Sequence, residues 1–265
     1  MATHVTLPPR SVRANDAADI LRSEGCKLRS VRSTYWLMAI GVVANVGFAL
    51  LAGLVLPASI DASVDTVRIS LAGIHLSQVA FGVLGVLVMS SEYDTGLIRT
   101  TFAVVPRRRR VLAAKAVMVT GVTLSAGMGS CLLGFLAFQA VVDDGPFRAS
   151  LGDAVVLRAV LGGGVYLALL GLLGLGLGTI VRRGVGAIAV VLVGLFVPQL
   201  LIEVLPDPWR SDLGRYLPME AGSQIFSATH HGDSLGWWSG LAVMSVYTAL
   251  ALGTAAMLIE RRDVA

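Results

Sequence analysis

Six apolar stretches, each of about twenty residues or more, constrain this 265-residue chain more than anything else in it. They fall near residues 35–56, 71–90, 111–142, 157–181, 185–205 and 237–259. At 1.5 Å per residue, about twenty helical residues cross a hydrocarbon core of about 30 Å. The expected fold is therefore all-α: a polytopic membrane protein with six transmembrane helices. Charged residues make up only 14% of the chain and the mean hydropathy is +0.77, whereas a soluble domain carries about a quarter charged residues. No polar segment is long enough for an independent soluble domain. The expected organisation is an N-terminal segment, 1–34, followed by one six-helix transmembrane domain, 35–265.

Residues 1–34 are polar and charged, and the first apolar run is too long for the h-region of a cleaved signal peptide, so it is expected to stay as a transmembrane helix. Within that segment, 15–33 reads as a helix lying on the membrane surface. Asn15 or Asp16 can cap it, and Ala14, Ala17, Ala18, Leu21, Gly25 and Leu28 share one apolar face, with Asp19, Arg22 and Lys27 elsewhere. Cys26 and Cys131 are too differently placed for a structural disulfide. The 21 basic residues include only two lysines, Lys27 and Lys115, a bias expected from high-GC coding rather than from chemistry.

The basic residues also set orientation. Sixteen of the twenty-one fall before span 1, between spans 2 and 3, between spans 4 and 5, or at the C-terminal end. The positive-inside rule places those segments, and both termini, in the cytoplasm of a cell whose plasma membrane the chain crosses. The opposite side then holds a long final loop, 206–236, in which Pro218 suits the first turn of a short helix over 218–229, packed into or against the outer membrane face. Span 4 is glycine-rich, and Gly174 with Gly178 forms a small-xxx-small pair of the kind that lets helices approach closely in lipid.

Polar groups within the spans are few. Asn45, Gln78, Gln199 and Glu203 are the candidates for a polar substrate path, with Glu203 near the outer end of span 5. No series of carboxylates forms a proton relay. His75 and the His230–His231 pair lack neighbouring ligands at metal spacing, so no metal site is expected. No catalytic motif stands out, and the chain is not expected to be an enzyme itself. No GxxxxGK[ST] loop occurs, so any nucleotide that powers this protein binds to another polypeptide.

The segment after span 2 is the most specific. It runs Ser91-Glu92-Tyr93-Asp94-Thr95-Gly96-Leu97-Ile98-Arg99, continues through Phe102 to Pro106, and ends in the basic cluster Arg107, Arg108, Arg109, Arg110 and Lys115. Ser91 and Asp94 form an Ser-x-x-Asp cap that predicts a short helix starting there and stopping at Pro106. Such a helix between two spans is a docking element: Tyr93, Leu97 and Phe102 are positioned to fill a partner's groove, and Glu92 and Arg99 to set the register.

The pattern Glu92-Tyr93-x-x-Gly96-x-Ile98-Arg99, followed by Pro106-Arg107-Arg108 and Lys115, resembles the permease subunit of ABC-2 type ABC transporters. The resemblance extends over nearly the whole chain: N-terminal interfacial helix, six spans, long last external loop. Leu97 stands where that family often carries Thr. The resemblance implies that Glu92, Tyr93, Gly96, Leu97, Ile98, Arg99 and Phe102 belong to a coupling helix that docks on a separate ATPase. It implies two ATPase copies, which bind ATP and Mg, and a second permease copy or paralogue. It also implies a path between the two halves lined mainly by spans 1, 2 and 5. The expected function is export of a hydrophobic or amphipathic substrate, such as an antibiotic, a lipid or a modified peptide. The alternative is a secondary transporter or channel that does not use ATP.

Overall fold

The computed structural model describes residues 17–55, 65–105, 107–142, 148–207, 209–228 and 236–262. The expected Asn15/Asp16 cap, Pro106 and the His230–His231 pair lie outside them. Helix accounts for 86% of the structure, with no strand among the described residues. Six helices are long and apolar enough to cross a membrane: α2 (Arg32–Val55), α4 (Ile74–Asp94), α6 (Arg108–Val141), α7 (Ala154–Val181), α8 (Gly184–Ile202) and α11 (Trp237–Arg261). The chain is an all-α polytopic membrane protein. Five short helices complete it: α1 (Ala17–Ser30), α3 (Thr66–Ser70), α5 (Leu97–Val104), α9 (Trp209–Gly214) and α10 (Pro218–Ile225).

Lipid supplies no hydrophobic drive between helices, so close packing must hold the bundle together. Its centre is α7, which packs against α4, α6, α8 and α11. In the apolar windows of α4 and α7, 61% of residues are buried, against 22% in α2 and α8. Glycine makes this possible. A methyl group added at Gly85 or Gly174 would overlap the carbonyl of Gly171 or Gly82 on the facing helix. One at Gly178 would lie 2.8 Å from the Val86 carbonyl oxygen. The α4–α7 crossing is thus a contact of backbone on backbone. Large apolar side chains point outward instead, among them Trp36, Val43, Leu54 and Leu250.

One end of the bundle gathers the charges. Arg108 donates to the carbonyl oxygens of Ile259 (3.0 Å) and Arg262 (3.1 Å), Arg182 to that of Arg262 (3.3 Å), and Arg262 to that of Ile180 (3.2 Å). These are the orphan carbonyls at the ends of α11 and α7, and cations are the favoured groups there. The start of α6 therefore meets the ends of α4, α7 and α11 at one basic end.

At the far end, α10 is wedged between α7 and α11, with Ala221 to Ile225 all buried. Pro218 opens it, and a methyl group at Gly222 would strike the Tyr166 ring. Asp65 caps α3 through the amide of Arg68 (3.0 Å) and accepts from Ala228 N (2.9 Å), tying the chain after α10 to the start of α3.

One boundary differs from expectation. Span 2 continues through Ser91, Glu92 and Asp94, so these residues end α4 rather than cap the next helix. The break comes at Gly96, whose φ of 73° is the left-handed conformation that glycine adopts without steric cost. And α1 buries Ile20 and Glu24 and packs on α6, with Gly25 against Met118.

Candidate functional site

At 34 residues α6 measures about 51 Å, about 20 Å more than a hydrocarbon core. Its first turns meet α1, α5 and the end of α4. Ile20 of α1, Val105 after α5, and Val111 and Ala114 of α6 form a small apolar cluster with Leu21 and Phe102 packed on it. Beside this cluster sits a junction of four charges. Lys115 Nζ lies 2.6 Å from Glu24 Oε2 and 2.7 Å from Glu92 Oε1. Lys27 Nζ lies 2.7 Å from Glu24 Oε1 and 2.9 Å from Glu92 Oε1.

An ammonium carries three donors. Lys115 completes its set with the Val88 carbonyl (3.4 Å) and Lys27 with the Thr101 hydroxyl (3.5 Å). Each lysine thus takes one oxygen from α1, one from Glu92 and one from a third place. Lys115 is 1% exposed, Glu24 2% and Glu92 6%, so three of the four charges are held away from water. Two positive and two negative charges balance, the condition under which ions survive burial. Burial pulls the Lys27 ammonium down, but the hydrogen bonds and charges of Glu24 and Glu92 outweigh it and raise its pKa above the lysine value of 10.5.

The chain's two lysines, set against its many arginines, both stand in this junction. Arginines at this end lie flat across helix ends, where a planar fork reaches backbone carbonyls. The junction instead needs a compact point charge that accepts partners from three directions. Lys115 likewise does not belong with Arg107 to Arg110: the arginines are at the surface, with Arg109 paired to Glu260 at 2.6 Å, while Lys115 is enclosed one turn further on.

The residues of the expected docking segment separate into two sets. Leu97 and Arg99 are exposed on α5. Ile98 is buried, and Tyr93 and Phe102 are half-buried against the core clusters. Arg182 lies over the Tyr93 ring at 5.4 Å and Arg108 over the Phe102 ring at 5.3 Å. Glu92 and Tyr93, on the last turn of α4, and Phe102, on the inner side of α5, turn toward the junction and the core clusters rather than toward a partner's groove. Gly96 is the hinge between α4 and α5. Gly174 and Gly178 lie in the α4–α7 crossing.

The four polar candidates for a path are not brought together. Asn45 is fully buried and its Nδ2 donates to both Ser130 O and Ser130 Oγ at 3.0 Å, bracing α2 against α6. Gln78 accepts from the Tyr166 hydroxyl at 2.6 Å, between α4 and α7. Gln199 and Glu203 line a separate crevice at the far end, where Glu203 is exposed and pairs with Arg210. Asn45 and Gln78 thus serve as struts, each through one end of its amide.

Sequence reasoning missed Glu24 altogether and placed Lys27 only off the apolar face of the N-terminal helix. The available signal was the Glu24-x-x-Lys27 spacing, which puts both on one helix face, in a chain with a single other lysine. A scan against protein-family models finds no match to this chain, and no curated protein sequence matches it.

Proposed function

We propose that this chain is the permease subunit of an ABC-2 type exporter, with both termini in the cytoplasm and the basic end facing a separate ATPase. The observation that supports it is the four-charge junction. It ties α1, the end of α4 and the start of α6 into one body, with α5 held on it through Thr101. Leu97, Arg99, Thr100 and Ala103 are exposed on α5 of that body. A push on α5 would be carried into three elements at once, which is what a chain without its own phosphate loop needs from a motor partner. Only a partner whose two nucleotide states contact α5 differently can drive such a switch.

In this reading the ATPase subunits hold ATP and Mg, a second permease completes the path, and this chain performs no chemistry. The apolar walls of α2, α4 and α8 favour a hydrophobic or amphipathic cargo. Glu92 acts inside the body as a latch, and Arg99 and Leu97 meet the partner. The test is affinity purification from the native membrane with mass spectrometry of what accompanies the chain. The expected companion is a stoichiometric protein with a GxxxxGK[ST] loop, lost in Arg99→Glu and Leu97→Asp while the permease still inserts and stays monodisperse. A chain that purifies without such a protein under conditions that preserve complexes removes the reading in favour of a secondary transporter or channel.

A further inference from the structure

Arg107 to Arg110 and Glu260 line a crevice of about 500 Å³ where the start of α6 meets the end of α11. Four guanidinium groups stand there against one carboxylate, which leaves the wall with an excess of three positive charges. The first turn of α6 holds no acidic residue to offset them. Arg108 is the anchored member: it donates to the carbonyl oxygens of Ile259 and Arg262 and lies over the Phe102 ring. Arg109 and Glu260 are paired, but their side chains stay 62% and 45% exposed. So exposed a pair contributes little, and a stronger anion can take the place of the carboxylate. Arg107 and Arg110 are exposed as well. The donors of this crevice are therefore within reach of a ligand, and a guanidinium fork matches a phosphate through two parallel hydrogen bonds.

Further along the same two helices the surface turns apolar and open. On α6, Ala113 and Val117 follow Arg109 at four-residue spacing and continue its face; Val117 is 58% exposed. On α11, Gly253 lies two turns before Glu260 on one face, between Leu250 and Met257, which are 64% and 52% exposed. A methyl group added at Gly253, or at Gly121 one turn after Val117, would meet nothing within 4 Å. Both helices are long and apolar enough to cross a membrane. This surface therefore faces the acyl region, and the arginines, standing where α11 ends, reach the headgroups. A ligand matching both parts carries hydrocarbon chains and more than one phosphate, since a single phosphodiester leaves most of the excess charge unanswered.

We propose that this crevice binds an anionic lipid of the diphosphatidylglycerol class. Its two phosphates lie among Arg107, Arg109 and Arg110, and its acyl chains run along Val117, Leu250 and Met257. Such a lipid offsets most of the excess charge of the wall and clamps the start of α6 to the end of α11. The proposal rests on the membrane location alone and stands whether or not the transport reading holds.

The experiment uses the full chain in nanodiscs containing equal amounts of diphosphatidylglycerol, phosphatidylglycerol and phosphatidylethanolamine, with matched acyl chains. Native mass spectrometry then counts the lipid that survives delipidation. The wild-type chain is expected to retain the two-phosphate lipid about ten-fold over phosphatidylglycerol. Arg107→Gln with Arg110→Gln is expected to erase that preference while the chain stays monodisperse, because both side chains are exposed. Arg183→Gln with Arg261→Gln removes two exposed arginines that do not line the crevice, and is expected to leave the preference intact. Pyrophosphate at the same concentration carries the phosphates without the chains and is expected not to displace the lipid. Equal retention of the three lipids by the wild-type chain overturns the proposal. So does an equal loss in Arg183→Gln with Arg261→Gln, which is the mark of diffuse attraction to a basic end. Displacement by pyrophosphate would assign the crevice to a soluble diphosphate and overturn the lipid reading. Loss of a co-purifying protein in Arg107→Gln with Arg110→Gln, with lipid retention unchanged, would assign it to a protein contact and overturn it equally.

Discussion

At the scale of single residues, the junction shows how charge identity follows geometry. Removing one member of a buried ion network leaves the others uncompensated, at a cost of about 3–5 kcal/mol, whereas removing opposite charges together costs less. Lys115→Met is thus expected to lower the thermal midpoint sharply in detergent or nanodiscs, and the Glu24→Gln/Lys115→Met double variant to recover part of the loss. Additive losses would show that the two side chains do not interact. Lys27 gives a pH signature. Its raised pKa means that its stabilising contribution is full below the ordinary lysine value of 10.5 and disappears as pH rises through the higher folded value. A spin label on Cys26, which is exposed on the same helix, should become more mobile above pH 10.5 in the wild-type chain. In Lys27→Met it should be mobile at every pH. A wild-type label indifferent to pH would remove Lys27 from the latch.

At the scale of elements, the two kinds of helix contact fail differently. The α4–α7 crossing has no side chains between its backbones, so it cannot absorb volume by repacking. Gly174→Leu must push α4 away from α7, and overpacking of this kind costs about 1–3 kcal/mol or more. The expected outcome is poor assembly and early aggregation on size-exclusion chromatography; a monodisperse, normally melting Gly174→Leu would contradict the crossing. Gly47 on α2, where an added methyl group meets open space, should accept alanine without loss. The same logic explains α10. Its start was legible from Pro218, but its burial on several sides depends on Gly222 within it and on Gly162 and Gly240 standing opposite it on α7 and α11.

At the scale of the whole molecule, charge and length act together. The basic end carries α1, α5 and the overlong start of α6, while the far end carries α3, α9 and α10. This asymmetry predicts a single orientation. Ala103→Cys on α5 and Asp212→Cys on α9, each in a Cys26→Ser background, should respond oppositely to a membrane-impermeant thiol reagent on intact cells, with only Asp212→Cys labelled. Labelling of Ala103→Cys instead would invert the orientation and with it the placement of any ATPase.

The six spans, the short helix at Pro218 and the basic end were fixed by local properties: runs of apolar residues, a proline, and arginines between runs. Such properties survive in a one-dimensional string, because length and hydropathy do not depend on what a residue later touches. The break at Gly96 was half legible. The glycine was part of the recognised pattern, but the capping signal of Ser91 and Asp94 pointed to the wrong helix start, since α4 was long enough to absorb it. Tertiary structure alone decided where the polar groups face. Glu24 and Lys115 are 91 positions apart, and nothing in either neighbourhood announces the other. Glu92 looked like a surface contact because a carboxylate beside Tyr93 and Arg99 reads as polar surface until two ammonium groups are brought against it. A buried charge is tolerated only when its partners arrive with it, and that arrival is a property of the packed bundle.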